Sequence, residues 1–135
     1  MGNNWKITDT LTKVFADEVP DGQGSIRLST LHRETVSCVI AYLGAADWGR
    51  YWKVSVKAPE KIETRLRRIE LVPSAYPCHK EQDDNYLRIV PGMYPDLLRD
   101  LDTEDDGADK KYLTKEVPGQ WRSLWLDVTV DAELA

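Results

Sequence analysis

An antiparallel, two-sheet β-sandwich of the immunoglobulin or galactose-binding jelly-roll kind, with little helix, is the fold this sequence predicts. Three observations predict it. Apolar residues recur mostly with a period of two, as a strand with one buried face requires, rather than the ~3.6 of a helix. The runs so marked are short and bounded by clusters of Pro, Gly and Asp. Strands do not alternate with helical stretches, as a parallel sheet would need. Residues 1–135 are read as a single domain and as the N-terminal piece of a larger multidomain protein. A chain of 135 residues buries roughly two-thirds of the surface it exposes unfolded, enough for a core without staples.

The elements follow in chain order. Trp5-Lys6-Ile7 and Lys13-Val14-Phe15 offer a short strand or two. Pro20-Asp21-Gly22-Gln23-Gly24 is a turn cluster. After it, Ile26 and Leu28 alternate with polar neighbours in Ser25–Thr30, the mark of a half-buried strand. Thr35–Leu43 is near-continuously apolar, β-branched at its centre and closed by Gly44, and is expected to be the most buried strand. In Tyr51–Lys57, Trp52, Val54 and Val56 share one face. Ile62–Val72 changes phase: Ile62, Thr64 and Leu66 are out of step with Ile69 and Leu71, so a bulge is expected near Arg67-Arg68. Trp121–Val130 directs Leu124, Leu126, Val128 and Val130 inward, and Trp121, Ser123, Trp125, Asp127 and Thr129 outward. Between Tyr76 and Pro118 the pattern weakens. Pro77, Pro91, Pro95 and the acidic run from Asp102 to Gly107 indicate a long irregular stretch, with one helical turn at Pro95–Asp100.

Composition limits the functions. Hydrophobic residues make up 41% and charged residues 30%, the balance of an ordinary globular domain. A net charge of −5 argues against a nucleic-acid or anionic-membrane surface. No apolar run nears the ~20 residues of a membrane span. Met1-Gly2-Asn3-Asn4-Trp5 lacks the basic-then-apolar profile of a signal peptide, and the compartment stays open. Cys38 lies in an apolar run, where a thiol behaves as a small hydrophobe, whereas Cys78 follows Pro77 in a loop. Two cysteines make no disulfide framework, and whether this pair is joined stays open.

Few residues carry chemistry. With only His32 and His79, and no Cys-x-x-Cys or Gly-rich phosphate loop, neither zinc, nucleotide nor any other cofactor is expected. Cys78 and His79 are adjacent in sequence, which is poor geometry for a nucleophile and its base. Asp102, Glu104 and Asp106 followed by Gly107 look like the opening of a calcium loop. The twelfth position, counted from Asp102, is Leu113 instead of the required Glu, so a solvated acidic loop is favoured. Arg65, Arg67 and Arg68 read as a solvated strand edge. Five Trp and six Tyr against one Phe are the remaining lead. Trp121 and Trp125 share the outward phase of the last strand, and Trp48 precedes the third. Exposed, coplanar indoles stack on sugars. Packing within the sandwich, against the returning N-terminus or against a neighbouring domain is the favoured alternative.

The order of landmarks resembles the N-terminal domain of bacterial glycoside hydrolase family 123 proteins. The matching pieces are Trp5, Thr10-Leu11-Thr12-Lys13-Val14-Phe15, Ser25-Ile26-Arg27-Leu28 and Glu34-Thr35-Val36-Ser37. Leu71-Val72-Pro73, Tyr94-Pro95-Asp96-Leu97-Leu98 and Leu124-Trp125-Leu126-Asp127-Val128 complete the set. Where that family often has an aromatic-Gln pair, this chain has Cys38-Val39. The resemblance implies a parent enzyme acting on N-acetylgalactosamine-containing glycans, whose catalytic Asp-Glu pair stands in a following barrel domain. This chain would then be a non-catalytic scaffold, with the barrel as its partner. An autonomous carbohydrate-binding or protein-interaction module is the alternative. Truncation ahead of further strands implies self-association through an exposed sheet edge.

Overall fold

The computed structural model describes residues 4–45, 51–76, 87–105 and 110–130, which hold eight strands and no helix. In chain order these are β1 (Trp5–Thr8), β2 (Thr35–Leu43), β3 (Tyr51–Ser55), β4 (Ile62–Ser74), β5 (Gly92–Asp100), β6 (Asp102–Asp105), β7 (Lys110–Lys115) and β8 (Trp121–Val130). They form two antiparallel sheets, one ordered β1-β2-β8-β4-β5 and the other β3-β7-β6. The chain is an all-β sandwich, as its periodicity predicts.

The larger sheet is apolar on both faces, and each face has its own core. Successive side chains of a strand point to opposite sides. Tyr42 of β2, Leu66 of β4 and Leu124 of β8 gather with Leu101 on the side covered by Trp52, Val54, Val56 and Tyr112. Val39 and Ala41 of β2, Ile69 of β4 and Trp121 of β8 gather on the other side, and the buried Val14 covers them. The second face therefore has no sheet over it. A strap of irregular chain around Val14 takes that place. Asp9 shapes the strap by accepting hydrogen bonds from the Leu11 and Thr12 N–H groups and the Thr12 hydroxyl.

The two cores explain the phase change in β4. Leu66 and Ile69 are out of step because they serve opposite faces, and the β4–β8 ladder runs unbroken from Ile62↔Val130 to Ile69↔Ser123. The bulge expected near Arg67-Arg68 lies instead between Glu70 and Leu71, on the β5 side. Other expectations are also corrected. Ser25–Thr30 is not a strand, and Ile26 and Leu28 are exposed. Alternation alone does not suffice where no neighbour offers a ladder, and the four-residue β1 ends at Thr8. Pro95–Asp100 forms no helical turn and belongs to β5. Pro95 is tolerated because β5 is an edge strand and the register shift lies opposite it. The stretch from Tyr76 to Pro118 is not structureless, since it contains β5, β6 and β7. Their alternation is weak because charges occupy many positions, the register setting Asp102–Asp105 against Lys110–Leu113. Cys38 is a buried free thiol, and Cys78 lies outside the described residues.

Glycine decides one close approach. Gly44 ends β2 against Val117, where an added Cβ would lie 1.9 Å from the Val117 carbonyl oxygen. Its N–H donates to the Gln120 carbonyl at 3.0 Å and its carbonyl accepts from the Gly119 N–H at 3.2 Å, fixing the chain that enters β8.

Two separate cores make a specific expectation for stability. Leu66→Ala and Ile69→Ala should each cost about 2–5 kcal/mol in urea unfolding. Their α-carbons stand roughly 10 Å apart along the strand and their side chains share no core, so the double mutant should be additive within about 0.5 kcal/mol. A large coupling energy would mean that the cores are one.

Candidate functional site

Two of the residues singled out in the sequence, Trp121 and Trp125, lie on the strap-covered face of the larger sheet. β8 places Trp121, Ser123, Trp125 and Asp127 there, opposite Leu43, Ala41, Val39 and Ser37 of β2. Trp121 and Trp125 do share a face, as their spacing predicts. Trp121 is only 6% exposed, packed with Val14 and Ile69 in the second core. Trp125 is half-buried against the same cluster. The favoured packing reading of these two rings fits this arrangement. Trp48 lies outside the described residues.

Trp125 also has its polar atom committed. The indole N–H donates to Asp127 Oδ1 at 2.8 Å, and the Ser37 hydroxyl donates to the same oxygen at 2.5 Å. Arg67 donates to Oδ2 at 2.7 Å. Burial raises the cost of the Asp127 charge, but the bonds from Ser37, Trp125 and Arg67 outweigh it and hold the carboxyl below its usual range. These bonds join β2, β8 and β4 through one carboxylate, while the Arg67 Nε is buried without a hydrogen-bond partner.

Beside Trp125 is a small cavity of about 180 Å³, lined among others by Thr10, Thr12, Lys13, Pro95, Asp96 and Trp125. Lys13 Nζ reaches Asp96 Oδ1 at 2.9 Å and the Pro95 carbonyl at 3.3 Å, tying the strap to β5. A second clasp lies further along. Arg88 sits 3.7 Å over the centre of the Phe15 ring and donates to Asp17 at 3.0 Å and Glu18 at 2.9 Å. Phe15 meets Tyr94 edge-on at 5.7 Å. The cavity is smaller than the ~300–1,000 Å³ common for ligand pockets, and its charged groups already pair with each other.

Other candidates fare differently. Asp102 and Glu104 stand on the paired strand β6, not at the opening of a calcium-binding loop, and Asp106 lies outside the described residues. No cluster of three or more metal-ligating side chains occurs among the described residues. Of the arginine series, Arg65 is exposed ahead of the β4–β5 ladder, as a solvated edge residue would be, whereas Arg67 and Arg68 lie where β4 is paired on both sides and are part-buried. Each arginine has its own carboxylate: Arg65 pairs with Asp100, Arg67 with Asp127 and Arg68 with Glu70. His32 is exposed in a turn and His79 lies outside the described residues.

Sequence reasoning missed Tyr42, which is buried, stacks on Trp52 at 4.9 Å and shares a 2.8 Å hydrogen bond with Thr114. The only hint was a Tyr in an otherwise aliphatic strand. It also missed Glu116, 1% exposed, with one oxygen accepting the Ala45 N–H at 3.1 Å and the other unpartnered. No local pattern marks that residue as buried.

No protein-family model matches the chain, and no curated protein matches it. The likeness to glycoside hydrolase family 123 therefore rests on the short blocks quoted above.

The Asp127 network predicts acid sensitivity. Its folded carboxyl titrates below the unfolded one, so its contribution is complete above the ordinary Asp value of about 4 and is lost as pH falls through the lower folded value. Asp127→Asn should lower stability at pH 7 by about 1–3 kcal/mol and flatten the loss on acidification, read from urea midpoints between pH 7 and 3. An unchanged pH profile in the variant would remove Asp127 from that role.

Proposed function

We propose that the chain is a non-catalytic β-sandwich scaffold that docks on a neighbouring domain of the same polypeptide, as in the family 123-like glycosidases it resembles. The parent would then act on N-acetylgalactosamine-containing glycans through catalytic residues outside this chain. The observation that carries this reading is the distribution of exposed apolar side chains. Of fourteen large exposed hydrophobic residues among those described, eight lie between the end of β4 and the end of β5: Val72, Tyr76, Leu87, Ile89, Val90, Met93, Leu97 and Leu98. Burying apolar area contributes about 25 cal/mol per Å², so an edge this rich in it is costly in water and favours a partner.

The strap-covered face supports the same reading from the other side. The indole N–H of Trp125 is held by Asp127 and Trp121 is buried, which favours packing over sugar stacking. Asp127, which accepts from Trp125, and Asp96, which lines the cavity beside it, are each held by a cation.

Enzyme assay of both the chain and its whole reading frame tests the proposal. Residues 1–135 alone should leave an aryl N-acetyl-β-galactosaminide intact, whereas the full polypeptide should cleave it. In the full polypeptide, Leu97→Lys should lower the melting temperature by several degrees and leave the isolated chain unaffected, because Leu97 is about half exposed without a partner. Turnover by this chain alone, or a reading frame with no further domain, overturns the reading.

A further inference from the structure

The ladder between β4 and β8 stops at Ile69↔Ser123, although β4 continues to Ser74 beside β5. There the two strands part. Trp121 stays with β2 through Leu43 and donates its N–H to the Ala16 carbonyl at 3.0 Å. The contact between Gly44 and Val117 holds the preceding chain to the same side. The split leaves a cavity of about 530 Å³, whose lining includes Arg68, Leu71, Met93, Lys115, Val117 and Arg122.

Charge inside this cavity is unbalanced. Glu70, its one carboxylate, is already shared by Arg68 and Arg99. The Nε of Arg68 is buried and has no hydrogen-bond partner. Arg122 makes no ion pair among the described residues; its guanidinium reaches only the Trp121 carbonyl, at 3.5 Å. Lys115, exposed at the rim, has no carboxylate partner there either. Burial pushes the Arg122 pKa down and Arg68 adds like charge, and the opposing pull of Tyr42 and Glu70 does not make up for it. The chain as a whole carries a charge of −5, which makes a net-positive cavity a local feature and not a reflection of composition.

We propose that the cleft between β4 and β8 binds a small organic carboxylate, its anion on Arg122 and Arg68 and its apolar body against Leu71, Met93 and Val117. Guanidinium forks match the two oxygens of a carboxylate. The apolar wall favours an acid with a hydrocarbon body over an inorganic anion. The volume lies within the usual range for small-molecule sites. This site shares only Met93 with the exposed apolar set of the docking surface, and the anion-binding residues tested below lie outside that set.

Calorimetric titration with hexanoate, hexanamide and sulfate tests it. Hexanoate should bind saturably, with hexanamide and sulfate at least about tenfold weaker. Arg122→Gln should weaken hexanoate about tenfold or more, while Arg65→Gln, which like its partner Asp100 lies outside the cavity lining, should not. If Arg122→Gln fails to fold, Lys115→Glu at the exposed rim should weaken hexanoate several-fold. Absence of saturable binding overturns the proposal, as does equal binding of hexanoate and hexanamide. So does unchanged hexanoate affinity in whichever of Arg122→Gln and Lys115→Glu folds.

Discussion

A five-stranded sheet that is apolar on both faces, with a second sheet available for only one of them, is the constraint on which this molecule depends. The uncovered face holds Val39, Ala41, Ile69, Trp121 and half of Trp125, too much apolar surface to leave in water. The strap around Val14 answers that demand without strand pairing. It is therefore held by point contacts: the Asp9 turn, the Lys13–Asp96 pair, and Arg88 stacked on Phe15. These contacts are individually modest and largely exposed, so the strap owes its position mainly to Val14 and Phe15, which are buried.

The strands that are legible in the sequence are those whose burial is set by one sheet face or by both completely. β2 and β8 match their apolar runs from Thr35 to Leu43 and from Trp121 to Val130. The phase change in β4 was visible too, but its cause was not. A single period-two pattern cannot tell a bulge from a strand that feeds different cores at its two ends, and Leu66 with Ile69 is the second case. Ser25–Thr30 failed for the opposite reason: its pattern was right and its ladder partner absent among the described residues. β5, β6 and β7 were illegible because proline and charge obscure alternation, and their pairing depends on distant strands.

Of the candidate site, the sequence revealed the shared face of Trp121 and Trp125 and little of its meaning. What those rings contact is set by residues over a hundred positions away, such as Val14. The same holds for charge. Arg65, Arg67 and Arg68 read as one basic stripe, yet alternation sends Arg67 to Asp127 on one face and Arg68 to Glu70 on the other. Arg122, which makes no ion pair among the described residues, carried no sequence signal because its surroundings result from where β4 and β8 diverge.

The position of β8 at the middle of the large sheet has a consequence for synthesis. β2 and β4 each pair with it and not with each other, so neither gains its inner neighbour until residues 121–130 have left the ribosome. Until then the nascent chain holds only the β1–β2, β4–β5 and smaller-sheet pairings, with greasy surfaces of β2 bare. Long-range closure of this kind is slow and leaves time for aberrant association. A cell making this protein is expected to shield that interval with a holding chaperone.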